Sequence, residues 1–253
     1  MKDFEFYKTI RLYRNEKTDK IFSKLKETYK KIPDTKGCLD NICKNGGCNG
    51  WCCMIQTPQL LYSEFLLIWD FISKNLDDDL ICDLFNICMM NAINEVPSKG
   101  CVFFDIDKKL CKIHDIRPYN CRIYGITPSE EFNPRYEKIK NEYKTIIGAI
   151  IKPQCDLIST VDGKNITTED TSRWWKELLD AERMMGIPEN LITDEFGGSY
   201  RTPHDHILLY NMPENVLNAL AGIKMYSDNL DKIKAVTELM SHIRNYFRGI
   251  KKK

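Results

Sequence analysis

The sequence predicts a mainly α-helical chain with one small β-hairpin, built as a cysteine-rich core followed by a helical extension. Three observations point there. Apolar residues recur at helical spacing along most of the chain. The pattern changes only between Cys101 and Ile113, and every cysteine lies between Cys38 and Cys155. The expected division is a cysteine-cluster domain over 1–160, N-terminal helix included, and a helical C-terminal extension over 161–253.

Ile21, Phe22, Leu25 and Tyr29 share one helical face over 18–31, and Pro33 stops that helix. A loop rich in glycine, asparagine and cysteine runs from Gly37 to Cys53. Ser63 is placed to cap the next helix, whose apolar face carries Phe65, Ile68, Trp69 and Ile72. A helix over roughly 78–95 aligns Ile81, Leu84, Phe85, Cys88, Met89 and Ala92. The short apolar runs "CVFF" and "LCKI" flank the polar "DIDKK", the pattern of a β-hairpin. Pro118 and Pro134 punctuate the segment after the hairpin, and a helix is predicted over about 135–151. Thr167 and Asp170 stand at capping-box spacing before "TSRWWKELLDAERMMG", a helix ended by Gly186 and Pro188. The last long helix starts near Ser227 and carries Leu230, Ile233, Leu239, Met240, Ile243 and Phe247.

A chain of 253 residues buries a full core without covalent staples. Apolar residues make up 43% and charged residues 29%, an ordinary globular composition. A net charge of +1 gives no global electrostatic case for nucleic acid, and "RGIKKK" reads as a solvated basic tail. The opening "MKDFEFYKTIRLYRNEKTDK" lacks the apolar run of a secretion signal, and no stretch approaches the ~20 apolar residues of a membrane span. The expectation is a cytoplasmic protein, where disulfides are kept reduced. Eleven cysteines is also an odd number, which excludes complete pairing within one chain. "NIT" at Asn165 is then a chance sequon.

Cys82 and Cys88 are six residues apart on a predicted helix, so they point about 120° away from each other and read as core residues. The remaining cysteines differ in kind. In "CKNGGCNGWCC", Cys43, Cys48, Cys52 and Cys53 lie in a loop that glycine lets curl around a small object. Cys101 opens one strand of the hairpin, Cys111 lies in the second, Cys121 is ten residues further on, and Cys155 closes the series. Such spacing favours a soft or borderline metal. Side chains of the adjacent Cys52 and Cys53 diverge, which suits two neighbouring sites, or a cluster plus a second site, better than one tetrahedral ion.

"CKNGGCNGWCC", then "CVFFDIDKKLCKIHDIRPYNCR", then Cys155 resemble the YkgJ-like cysteine-cluster family, whose members carry a zinc- or iron-chelating domain related to one in flagellin lysine methylases. The family's strand-to-turn motif, C-x-I-Y-x-x-R-P-x-x-C-R, matches Cys111, Ile113, Arg117, Pro118, Cys121 and Arg122, with His114 in the tyrosine position. "YSEF" at Tyr62–Phe65 also resembles the family segment after the cysteine pair. The resemblance covers about the first 160 residues and implies metal held by Cys43, Cys48, Cys52, Cys53, Cys101, Cys111, Cys121 and Cys155. The chain departs from the usual C-x2-C-x2-C-C in reading C-x4-C-x3-C-C, which leaves Cys38 as a rival to Cys43.

The donors admit zinc, in closed four-thiolate sites, or an iron–sulfur cluster such as a cubane. The methylase resemblance favours iron–sulfur. Arg117 and Arg122 either compensate thiolate charge from outside the ligand shell or pair with Asp105, Asp107 or Asp115. His204 and His206 in "HDH" read as a surface turn, and Trp174 and Trp175 as core and groove residues, with an aromatic pocket for a methyl donor as the alternative. No Ser/His/Asp order and no phosphate-binding glycine motif is present. Methylation of a protein lysine with S-adenosylmethionine is implied by the resemblance alone. A maturation or scaffold factor, docking a protein partner through its C-terminal helices, is the further alternative.

Overall fold

The structure, a computed structural model, describes residues 16–36, 53–54, 57–93, 100–142, 158–187, 189–192, 199–212 and 214–250. It is mainly helical with two small antiparallel sheets, as the sequence predicts. Helix α1 (Glu16–Lys31) has acidic residues in its first turn and lysines in its last, the arrangement the helix dipole favours. It buries Ile21, Phe22, Leu25 and Tyr29. After β1 (Thr35–Lys36) come α2 (Tyr62–Asn75) and α3 (Asp78–Ile93). Helix α2 is the centre of the molecule, with Phe65, Ile68, Trp69 and Ile72 almost wholly enclosed. Its N-cap is Leu61; Ser63, expected as the cap, lies inside the first turn. Asp77 caps α3, its Oδ1 accepting the Leu80 N–H at 2.8 Å.

The hairpin is present but short. Strands β2 (Phe104–Asp105) and β3 (Leu110–Cys111) pair antiparallel, with Phe104 opposite Cys111. Cys101 does not open the strand: it lies in a turn ahead of it, its carbonyl accepting the Phe104 N–H at 3.1 Å. A 3₁₀ turn (His114–Ile116) leads to the one-turn α4 (Tyr119–Arg122). Helix α5 (Ser129–Glu142) starts before Pro134, which it tolerates near its N-terminus at the loss of one helical bond. The expected continuation to 151 lies outside the described residues.

Strand β4 (Ser159–Thr160) precedes α6 (Thr168–Met184). Thr167 and Asp170 form the predicted reciprocal cap, and Gly186, at φ +83°, turns the chain out of the helix. Helix α1 lies along α6, joined by Thr28 Oγ1 to Glu177 Oε2 at 3.0 Å and Lys31 Nζ to the same carboxylate at 2.7 Å. After the one-turn α7 (Glu189–Ile192), helices α8 (Pro203–Asn211), α9 (Glu214–Lys224) and α10 (Asn229–Ile250) pack on α3. In α10 the core face is Val236, Met240 and Ile243; Leu230 and Ile233, expected there, are 58% and 40% exposed. One buried cluster runs from Ile21 to Ile243, so residues from both sides of position 160 share a core. Among the described residues no helix is long and apolar enough to cross a membrane.

Candidate metal centre

The segments that flank the cysteine-bearing span are paired with each other. Strands β1 and β4 pair antiparallel, Thr35 opposite Thr160 and Lys36 opposite Ser159. Cys38 stands two residues beyond Lys36 in the chain, and Cys155 four before Ser159. Arg117 reinforces the junction, its guanidinium donating to Thr35 Oγ1 at 3.0 Å. Gly125, at φ +85°, lets Ile158 seat directly on the turn after Cys121; a Cβ there would stand 2.6 Å from Ile158 Cβ.

Four cysteines of the predicted ligand set are described: Cys53, Cys101, Cys111 and Cys121, all half-buried. Backbone contacts link the first three. The Cys101 N–H donates to the Cys53 carbonyl at 2.6 Å, Phe104 donates back to Cys101, and Phe104 pairs with Cys111. Gly100 makes the first of these contacts feasible, because a Cβ at that position would lie 2.6 Å from the Met54 carbonyl oxygen. The Gly100 carbonyl is itself held from two directions, by Thr57 Oγ1 and by His204 Nε2, both at 3.0 Å. Asn91 on α3 approaches His204 Nδ1 at 3.3 Å, so the tautomer with its proton on Nε2 satisfies both ring nitrogens.

Cys121 sits on α4, which is anchored by Glu64 of α2. Glu64 is 1% exposed and accepts from Tyr29 Oη at 2.6 Å, the Tyr119 N–H at 2.7 Å and the Leu61 N–H at 3.0 Å. One carboxylate thus joins α1, the start of α2 and the first residue of the Cys121 turn. Its fully enclosed neighbour Glu182, from α6, accepts the next two N–H groups of α2, from Tyr62 at 3.1 Å and Ser63 at 2.8 Å. These bonds complete the exposed donors of a helix start that lacks a side-chain cap. Burial pushes both carboxyls above the usual carboxylate range against the pull of these donors, and the charge on Glu182 adds to the rise at Glu64.

Arg122 closes the same turn. It donates to the Arg117 carbonyl at 2.8 Å and the Asp115 carbonyl at 2.7 Å, and its guanidinium lies 4.3 Å from the centre of the Tyr29 ring. Its contact at Asp115 is thus to the backbone and not the carboxylate. Burial lowers its pKa, while the charges of Tyr29, Glu64 and Cys121 oppose that fall. His114 stands half-exposed with Nδ1 3.7 Å from Asp115 Oδ1; burial and then Arg117 hold its pKa below the ordinary histidine value.

Cys82 and Cys88 are core residues, each 1% exposed, and burial pushes the Cys82 thiol up to about 11. "HDH" is neither a strand nor a surface turn. It is the first turn of α8, started by Thr202 and Pro203, with both histidines buried. His206 Nε2 donates to the Leu60 carbonyl at 3.0 Å, its ring stacks on Phe65 at 4.9 Å, and burial lowers its pKa to about 4. Trp174 is wholly buried and Trp175 is half-buried beside Tyr119 and Tyr200, the expected core and groove positions.

Cys38, Cys43, Cys48, Cys52 and Cys155 lie outside the described residues. Among the described residues no three His, Cys, Asp or Glu side chains form a metal-holding group. The half-buried cysteines nonetheless suit a thiolate-bound metal, being accessible where Cys82 and Cys88 are sealed. Residues 42–144 match the model of the CxxCxxCC family, described as "Putative zinc- or iron-chelating domain". The match includes Cys43 and excludes Cys38 and Cys155. No curated protein and no solved structure matches the chain.

Proposed function

We propose that the zinc- or iron-chelating domain holds an iron–sulfur cluster, with thiolates from Cys43, Cys48, Cys52, Cys53, Cys101, Cys111, Cys121 and Cys155 distributed over it and a second metal site. The observation that carries this reading is the sorting of thiols. The described motif cysteines are half-buried, and Cys53, Cys101 and Cys111 are linked through the Cys53–Cys101 hydrogen bond and the β2–β3 pairing, whereas Cys82 and Cys88 are enclosed. The span of the family match supports Cys43 over Cys38 as the first ligand. The pairing of β1 with β4 supports Cys155 as the last, because it draws the chain beyond Cys155 back to the start of the cysteine region. Arg122 adds compensating charge beside Cys121 from outside the ligand shell. A cluster would supply one-electron chemistry, and zinc in the same cage would supply a structural cross-link. The cytoplasm, with its reducing thiol pool, is the compartment that keeps such ligands available. The lysine-methylation and scaffold readings rest on the resemblance and on the cysteine-free C-terminal helices.

X-ray absorption at the iron and zinc edges tests the assignment. An iron edge with an all-sulfur first shell and an iron–iron vector is the expected result. A zinc-only protein with sulfur at about 2.3 Å replaces the cluster by zinc in the same cage. A first shell dominated by oxygen or nitrogen overturns the thiolate cage itself.

A further inference from the structure

A cavity of about 380 Å³ opens beside α4, walled by Tyr119, Asn120 and Ile123 from that turn, Glu131 from α5, and Thr171 and Trp175 from α6, with Tyr200 across from them. Three of its lining residues are aromatic, and most of the others, Gln59 and Ser172 included, are polar. The Tyr119 and Trp175 ring centres are 5.7 Å apart, and those of Trp175 and Tyr200 are 5.3 Å apart with planes at 71°. The near-perpendicular pair forms a corner. The polar groups of that wall are held in place: Asn120 Nδ2 donates to Tyr200 Oη and to the Gln59 carbonyl, each at 2.6 Å, and Tyr119 Oη donates to the Thr171 carbonyl at 2.9 Å. Thr171 Oγ1 donates to Glu131 Oε1, which orients that carboxylate. Among the described lining residues Glu131 alone carries a formal charge at neutral pH, and none is basic.

An aromatic ring presents negative potential on its face, and a carboxylate adds a full negative charge. Walls of this kind repel anions and favour cations. The volume falls at the small end of the roughly 300–1,000 Å³ range of small-molecule pockets. The cavity therefore suits a compact cationic head with apolar substituents.

We propose that this cavity is a binding site for an organic ammonium cation, the head of a free amine or of a lysine side chain, with N-methylated forms preferred. Methyl groups on a cationic nitrogen carry the charge onto the ring faces and replace N–H groups that would otherwise demand hydrogen-bond partners. Trp175 and Tyr200 contribute aromatic lining, and Glu131 contributes the charge. The site does not depend on the identity of the metal, although Tyr119 and Asn120 place its floor on the same helical turn as Cys121.

Isothermal titration calorimetry on the protein as purified tests this with choline, with N-acetyl-trimethyllysine amide, and with 3,3-dimethylbutan-1-ol, which keeps the shape of choline without its charge. The expected result is saturable binding of an ammonium ligand, with the neutral isostere weaker by roughly tenfold or more. Stronger binding of choline identifies a free amine as the natural class, and stronger binding of the lysine derivative identifies a polypeptide. Glu131→Gln should weaken the ammonium ligand by roughly threefold to tenfold while leaving the isostere unchanged. Trp175→Leu should abolish binding, and Trp175→Phe should give an intermediate affinity. Equal binding of charged and neutral ligands overturns the proposal. So does the absence of ammonium binding up to about 10 mM, a free energy too small for a built site, or undiminished binding in a folded Trp175→Leu protein.

Discussion

Replacing Gly100 by alanine strikes the contact that joins the end of the first cysteine motif to Cys101. The added Cβ would stand 2.6 Å from the Met54 oxygen, 3.2 Å from the Met54 carbonyl carbon and 3.3 Å from the Cys53 oxygen. All three neighbours are backbone atoms, so no rotamer change relieves them. Restoring van der Waals separation near ~3.4 Å displaces the 53–54 segment by roughly 0.8 Å. The Cys101–Cys53 hydrogen bond, 2.6 Å long, would then stretch past its useful range. Overpacking of this kind costs about 1–3 kcal/mol, and the lost bond about 1 kcal/mol more. For a chain of this size the melting temperature should fall by about 5–15 °C. Metal–ligand distances tolerate only about 0.2 Å, so metal affinity should fall at least roughly tenfold. Metal content after gel filtration and a thermal melt of the same sample give both numbers. Thr57→Val is the control, because it removes one donor to the Gly100 carbonyl while His204 keeps the other. A Gly100→Ala protein that retains full metal and melts within about 2 °C of the parent would refute the reasoning.

Glu64→Ala leaves the Tyr29 hydroxyl and the Tyr119 and Leu61 N–H groups buried without their acceptor, and should cost about 3–5 kcal/mol in a urea melt. Glu64→Gln keeps one oxygen and should fall between, at about 1–2 kcal/mol. His206 is buried neutral with its pKa lowered to about 4 by burial, below its unfolded value near 6.5. The unfolded chain binds the proton first, so this contribution is complete above pH 6.5 and is lost as pH falls toward 4. Between pH 7 and pH 5 the parent should lose on the order of 2 kcal/mol more than His206→Gln, read as the difference between their stability curves; parallel curves would count against a neutral buried imidazole. Cys82→Ala should keep its metal and cost on the order of 1 kcal/mol of packing, whereas Cys111→Ala or Cys121→Ala should release metal on elemental analysis. Cys38→Ala should keep metal and Cys43→Ala lose it; the reverse outcome would shift the loop register by one cysteine.

Periodic segments were legible in the sequence because their burial is one-sided. Ile21, Phe22, Leu25 and Tyr29 mark α1, and the Thr167–Asp170 pair marks the start of α6 to the residue. Helix α2 is different: it is enclosed on nearly every side, and its cap comes from Glu182, over a hundred residues away in the chain, so Ser63 was an unsafe guide to its start. The start of α8 did carry a local signal, Thr202 and Asp205 around Pro203, and "HDH" misled because two histidines draw attention to ligand spacing and away from capping. The proposed ligand thiols stood out as a motif, and the sorting of Cys82 and Cys88 came from helical rotation. Their supports were not legible. Glu64 lies within a segment that reads as an ordinary helix, and the β1–β4 pairing joins two-residue strands too short to leave a pattern. Long-range contacts made by single residues have no period to reveal them.

The central claim is a metal held by thiolates of the CxxCxxCC segment, and its most direct test is the count of iron, zinc and acid-labile sulfide per chain in anaerobically purified protein. Iron and sulfide in matching amounts, both lost in Cys121→Ala and kept in Cys82→Ala, is the predicted result. A folded, metal-free protein whose cysteines all titrate as free thiols would contradict it.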